Sequence, residues 1–197
     1  RAWTLLLPEH EYPEPDSVDV ESVGVSFTFP HVLPADTAQA LRYLIGWPWM
    51  DDVTISFALH GLQALSLGRG RTPEMLVVSL STTDAIGHRF GPDSREVHDQ
   101  VVRLDRLLGR FLDSLFVLRD PATVAIALTA DHGVGSFPEL MARGRAPEAH
   151  RVSLNAPVDA ARRRRRAAGV DTTAILFDLG ILLLAREQFA RSKLAPD

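Results

Sequence analysis

Two short apolar runs, Met75-Leu-Val-Val-Ser-Leu80 and Thr123-Val-Ala-Ile-Ala-Leu-Thr129, separated by one long amphipathic stretch, constrain the fold of this chain more than any other feature. Each run is continuous rather than alternating and rich in residues that favour extended backbone, the pattern of a strand covered on both faces of a parallel sheet. Between them, from about Asp93 to Leu118, Val97, Val101, Leu104, Leu108, Phe111, Leu112 and Leu115 fall on one helical stripe. Strand, helix and strand make a βαβ unit, so the two strands are expected to be parallel. The expected class is α/β, a mostly parallel sheet flanked by helices.

The remaining elements are placed by weaker signals. Residues 1–34 carry many prolines and acids and predict irregular structure with short strands at most. Ala38, Leu41, Leu44 and Ile45 predict a helix over 35–47. Asp51 and Asp52 predict the cap of a second helix running to about Leu67, ended by Gly68-Arg-Gly70. A loop is expected from Ser81 to Pro92. Residues 35–147 thus form the expected core. In the less well-defined stretch 148–197, a helix is expected over 156–168 and a hairpin or strand pair over 172–184, and Glu139 to Arg143 predicts a short helix before it.

Composition excludes several classes. At 197 residues and 46% hydrophobic, the chain can bury one sizeable core, and a net charge of -4 gives no general basic field for nucleic acid. The run Arg162 to Arg166 would project all around a helix, which suits a solvated surface better than a polyanion-binding face. Ala174 to Ala185, broken by Asp178 and Gly180, is too short to cross a membrane. With no cysteine, disulfides and thiolate metal sites are excluded, so any metal must be held by His, Asp, Glu or hydroxyl groups.

Chemistry concentrates directly after the two apolar runs. The first is followed by Ser81-Thr-Thr-Asp84-Ala-Ile-Gly87-His88 and the second by Ala130-Asp131-His132-Gly133-Val-Gly135. In open α/β sheets, sites form beyond the carboxyl ends of strands, and both segments should emerge on that edge. Imidazole nitrogen and carboxylate oxygen together suit a divalent ion such as Zn²⁺, bound at about 2.0–2.2 Å. Asp84, His88, Asp131 and His132 are therefore the candidate ligands, two per segment. Gly87, Gly133 and Gly135 are expected to let the backbone turn around an ion. Asp105 on the long helix could orient a ligand histidine, or serve only in a cap or salt bridge. His10, His31 and His60 show no metal-ligand spacing, and Trp3, Trp47 and Trp49 are expected to pack in the core.

The motifs Thr83-Asp84-Ala-Ile-Gly-His88-Arg-Phe-Gly91-Pro92-Asp-Ser94, Leu104-Asp105 and Leu128-Thr-Ala-Asp131-His132-Gly133 resemble the type I phosphodiesterase/nucleotide pyrophosphatase family of the alkaline phosphatase superfamily. Within it the sequence looks most like the bacterial phosphate-irrepressible alkaline phosphatases, over roughly residues 1–147. The resemblance implies an incomplete alkaline-phosphatase-like sheet. It also implies two Zn²⁺, one on Asp84 and His88 and the other on Asp131 and His132, and a phosphate-ester substrate. Other divalent metals are an alternative. The family's nucleophile, its early aspartate and its late histidine have no match here; His150 lies too close to Asp131-His132 and lacks the usual glycine neighbour. The expectation is an internal fragment, inactive alone, of a parent that hydrolyses phosphomonoesters through a covalent phospho-enzyme. The alternatives are a phosphodiesterase or nucleotide pyrophosphatase, or a non-catalytic module with a degenerate metal site. Relatives of this kind imply a periplasmic or extracellular location, with neither nucleic acid nor membrane as partner.

Overall fold

The computed structural model describes residues 1–167, 175–178 and 181–184, in two compact units divided after Glu148. The first unit is helical. α1 (Thr37–Tyr43) is capped by Asp36, whose side chain accepts from the Gln39 N–H. α2 (Trp49–Ala64) starts after Pro48, with Asp51 and Asp52 inside its first turn rather than at its cap. α3 (Thr82–Phe90) and α4 (Arg95–Leu118) follow, then α5 (Pro138–Ala142). β1 (Ala2–Trp3) pairs antiparallel with β2 (His31–Val32), closing the irregular N-terminal segment into a loop.

The segment expected to be a loop after Ser81 is a helix. Thr82, Ile86, Gly87 and Phe90 form its buried face, and Ile86 and Phe90 join Trp3 and Trp47 in the principal core cluster. An amide with no Cβ at position 87 is tolerated in this helix because tertiary packing outweighs local propensity. Trp47 and Trp49 stack at 5.3 Å, and the guanidinium of Arg1 lies 3.9 Å over the Trp49 ring, so all three tryptophans serve packing.

The two apolar runs depart from expectation. Neither is paired in a ladder among the described residues, and the parallel pair is not formed between them. A ladder needs a hydrogen-bonded neighbour on at least one side. Here the runs lie instead on α2 and α4, where Leu76, Val78 and Leu80 face Val124, Leu108, Leu112 and Leu115 across an apolar cleft. Met75, Leu76, Val77, Ile126 and Leu128 are exposed, Met75, Ile126 and Leu128 along the same cleft, so neither run is covered on both faces.

α4 is held by more than its apolar stripe. Ser94 caps it, its hydroxyl accepting from the Val97 N–H. Leu115 is buried as the stripe predicts, whereas Val101 on the stripe is exposed and Leu107, Arg95, Glu96, Asp99 and Gln100 off it are buried. Asp99 is fully buried and accepts from Trp3 Nε1 at 2.6 Å, the Leu6 N–H at 2.7 Å, the Tyr12 hydroxyl at 2.6 Å and Arg103 Nε. Glu96 meets His31 Nε2 at 2.8 Å in an equally dry setting. His98 is half-buried against Tyr12 with Nδ1 on the Glu14 carboxylate.

Glu21 adds a pH dependence to this unit. Burial first, and then the neighbouring Glu96 and Asp16 carboxylates, push its pKa from the ordinary 4.5 up to about 8. The fold therefore holds a proton that the unfolded chain releases. The contribution is complete below about pH 4.5 and is lost as pH rises towards 8. Glu21→Gln is expected to gain stability over the unsubstituted chain across that window, reaching up to a few kcal/mol at pH 9. Urea unfolding at pH 5 and pH 9 measures it, and an equal difference between the two proteins at both values would contradict the assignment.

In the second unit, α6 (Asn155–Ala167) carries the arginine run, with Arg163, Arg164 and Arg166 exposed and Arg162 3.5 Å from Asp159. β3 (Ile175–Asp178) and β4 (Ile181–Leu184) pair antiparallel, Ile175 opposite Leu184 and Asp178 opposite Ile181, as the hairpin reading predicts. The turn at 179–180 and the rest of that reading lie outside the described residues.

Candidate metal centre

Helix α3 puts Asp84 and His88 one turn apart on the face opposite Ile86 and Phe90. His88 Nε2 lies 3.4 Å from Asp84 Oδ1. The Asp131-His132 segment meets this face from the other side. His132 Nε2 lies 3.7 Å from the same Asp84 oxygen and 3.6 Å from Asp131 Oδ2. All four candidate ligands thus come together in one chain of contacts, His88–Asp84–His132–Asp131.

Three contacts seat the second segment. Phe137 packs on Gly91, where a Cβ would stand 3.2 Å from the ring. Ser136 Oγ donates to Asp93 Oδ2, and Val134 rests over Gly87, in ordinary contact with the position of a Cβ there. Gly87 therefore serves helix packing rather than a turn around an ion. Gly133 and Gly135 have neither a positive φ nor a close neighbour, so the role expected for them is not seen. Gly91 is the glycine that the site needs: its φ of 87° lies in the region that residues with a Cβ avoid. Gly91→Ala is expected to lose about 1–3 kcal/mol through strain and the clash with Phe137, read as a lower thermal unfolding midpoint.

The electrostatics of the cluster fit a cation. Asp84 Oδ1 is sealed from solvent and accepts no hydrogen bond, although its residue is half-exposed. A buried lone pair without a donor is costly unless something electropositive meets it. Two ligand atoms bound at about 2.05 Å to a tetrahedral ion stand roughly 3.4 Å apart. That matches the spacing of Asp84 Oδ1 and His88 Nε2. Among the described residues, no three His, Asp or Glu side chains are arranged to hold one ion, so these residues offer paired ligands only. Asp105 is exposed on α4 and forms no hydrogen bond to His88 or His132.

The sequence reading missed the support beneath α3. Gln100 Nε2 donates to Asp51 Oδ2 at 2.8 Å and to Thr83 Oγ1 at 3.3 Å, inside the protein. The signal was present: Glu96, Asp99, Gln100 and Arg103 recur at helical spacing and form a polar stripe on α4.

The fold is that of the alkaline phosphatases. The chain superposes on a crystal structure of a substituted variant of alkaline phosphatase PafA with a TM-score of 0.79 and 28% identity, over 99% of this chain and 38% of that one. The α/β class and its incompleteness agree with that match. The family model described as type I phosphodiesterase / nucleotide pyrophosphatase matches residues 9–172, and the chain belongs to that family. It is 32% identical over 142 residues to alkaline phosphatase PhoV of Synechococcus elongatus, covering 69% of this chain and 26% of that protein. It is 34% identical over 137 residues to alkaline phosphatase PafA of Elizabethkingia meningoseptica, covering 66% and 25%. A shorter match, 33% over 73 residues, covers 37% of this chain and 8% of the human ectonucleotide pyrophosphatase/phosphodiesterase family member 1. The chain spans about a quarter of the length of these two alkaline phosphatases.

Proposed function

We propose that this chain is the metal-ligand segment of a phosphate-ester hydrolase that works with two divalent metal ions, zinc by preference. The observation that carries the reading is the convergence of His88 and His132 on the sealed Oδ1 of Asp84, with Asp131 beside His132. Asp84 and His88 would hold one ion, and Asp131 and His132 the other. Bound ions would supply Lewis-acid stabilisation of the charge that develops on the phosphoryl oxygens.

The chain's own residues would do three things. The two carboxylates would supply negative charge that draws the ions in. The imidazoles would bind as neutral donors, which ties occupancy to pH values at which both have lost their second proton. The stiff first turns of α3 and the Phe137–Gly91 contact would keep the two pairs at a fixed separation, so that little reorganisation accompanies phosphoryl transfer. The nucleophile that becomes phosphorylated has no counterpart among the residues of this chain.

A phosphomonoester is the favoured substrate, since the longer matches are to alkaline phosphatases. The match to the human pyrophosphatase/phosphodiesterase carries the second reading, a diester or pyrophosphate substrate. Paired assays of a longer protein containing this chain, on one aryl monoester and one aryl diester, choose between them.

Elemental analysis after zinc dialysis tests the centre itself. The chain should retain zinc, and the Asp84→Ala/Asp131→Ala double variant should lose it. Equal zinc in both proteins would refute the ligand assignment.

A further inference from the structure

The start of α3 is held by a buried polar bridge that supplies no metal ligand. Gln100 is 1% exposed on α4, and Asp51 is 2% exposed on α2. The Gln100 amide links the Asp51 carboxylate to the Thr83 hydroxyl, and Thr83 directly precedes Asp84. A carboxylate this deep is ordinarily paired with a cation. Here its one full hydrogen bond comes from a neutral amide. The Thr82 N–H and hydroxyl lie near it without full hydrogen-bond geometry, and burial pushes its pKa up against the opposing pull of Thr82 and Gln100.

Packing alone does not call for such a group, since apolar side chains of similar volume would stabilise three helices as well or better. What a polar bridge adds is a defined arrangement, here with the Gln100 amide oxygen buried without a hydrogen-bond partner. Ile86 and Phe90 anchor the second half of α3 through non-directional contacts. The bridge adds a directional contact at its first turn. Each residue of a helix turns by about 100°, so a small rotation of α3 swings Asp84 and His88 away from His132.

We propose that the Asp51–Gln100–Thr83 bridge is the positioning device of the first metal pair, fixing the rotation of α3 that aims Asp84 and His88 at His132. The proposal rests on the metal-centre reading above. Thr83 and Gln100 act through the ligands and touch no substrate.

The test is zinc affinity by competition with a chromophoric chelator, below the unfolding transition, with amide hydrogen exchange of α3 alongside. Gln100→Leu and Thr83→Val should each weaken zinc binding about tenfold and speed exchange at the start of α3, whereas Thr83→Ser should restore both. Leu115→Ala, buried near the far end of α4, lowers stability away from α3 and should leave the affinity unchanged. The proposal is overturned if Gln100→Leu and Thr83→Val bind zinc as tightly as the unsubstituted chain, or if Thr83→Ser is as weak as Thr83→Val. It is also overturned if Leu115→Ala weakens binding equally, which would make the effect one of general stability. Absence of any zinc sensitive to Asp84→Ala would sink the metal reading instead. Exchange would then judge the bridge alone: unchanged protection of α3 in both variants refutes it, and faster exchange reversed by Thr83→Ser upholds it.

Discussion

Asp99→Ala will cost about 3–5 kcal/mol of folding stability, the largest loss expected from any single substitution in this chain. The carboxylate is fully buried and gathers Trp3, Leu6, Tyr12 and Arg103 onto α4, which fastens the N-terminal segment across more than eighty residues of sequence. Alanine leaves an indole N–H, a backbone N–H and a phenol without this acceptor, and takes one partner from the part-exposed Arg103 guanidinium, which keeps the Thr4 carbonyl. Each orphaned donor carries a penalty of about 1–3 kcal/mol, softened by whatever local relaxation admits water. The Tyr12 phenol gives a second, local signal. Its pKa is raised first by burial and next by its hydrogen bond to Asp99. Absorbance titration should find that pKa lower in Asp99→Ala than in the unsubstituted chain. Urea unfolding that shows a loss below about 1 kcal/mol would mean the N-terminal segment is held by its aromatic contacts instead.

The second large effect concerns turnover. In a longer protein that contains this chain, Asp84→Ala should lower kcat/KM for a phosphomonoester by a factor on the order of 10³ or more, because Asp84 faces both histidines. Asp131→Ala should fall less than Asp84→Ala, since Asp131 touches His132 only and is the most exposed of the four. Added zinc should rescue part of the Asp131→Ala loss, as expected where affinity rather than geometry has been damaged. Steady-state rates at several zinc concentrations separate these outcomes. Full activity in Asp84→Ala would end the case for a metal pair on α3.

Much of this arrangement could be read before the structure, and the misses have definite physical origins. The meeting of Asp84, His88, Asp131 and His132 is legible because each Asp/His pair directly follows one of the two apolar runs. The helical state of their first pair was not legible from propensity: Thr82, Thr83 and Gly87 all disfavour a helix. The decisive signal was the spacing of Thr82, Ile86 and Phe90, which share a buried face. The apolar runs read as paired parallel strands form no ladder among the described residues, because strand pairing depends on neighbours that a local pattern does not specify. Asp99 and Glu96 were missed because α4 was read for apolar residues alone; its buried charges follow the same period. Asp105 shows the converse. Its place beside Leu104 suggested a supporting role, yet it points into solvent.

The exposure of the apolar runs has a consequence for handling the protein. Met75 and Val77 on one run, and Ile126 and Leu128 on the other, present oily side chains along backbone whose N–H and C=O groups have no ladder partner among the described residues. Such an edge is a template on which a second copy can add its own edge. Colloidal behaviour, rather than unfolding, will therefore set the upper concentration at which the chain can be studied, and a lysine placed at Val77 would act as a gatekeeper against that growth.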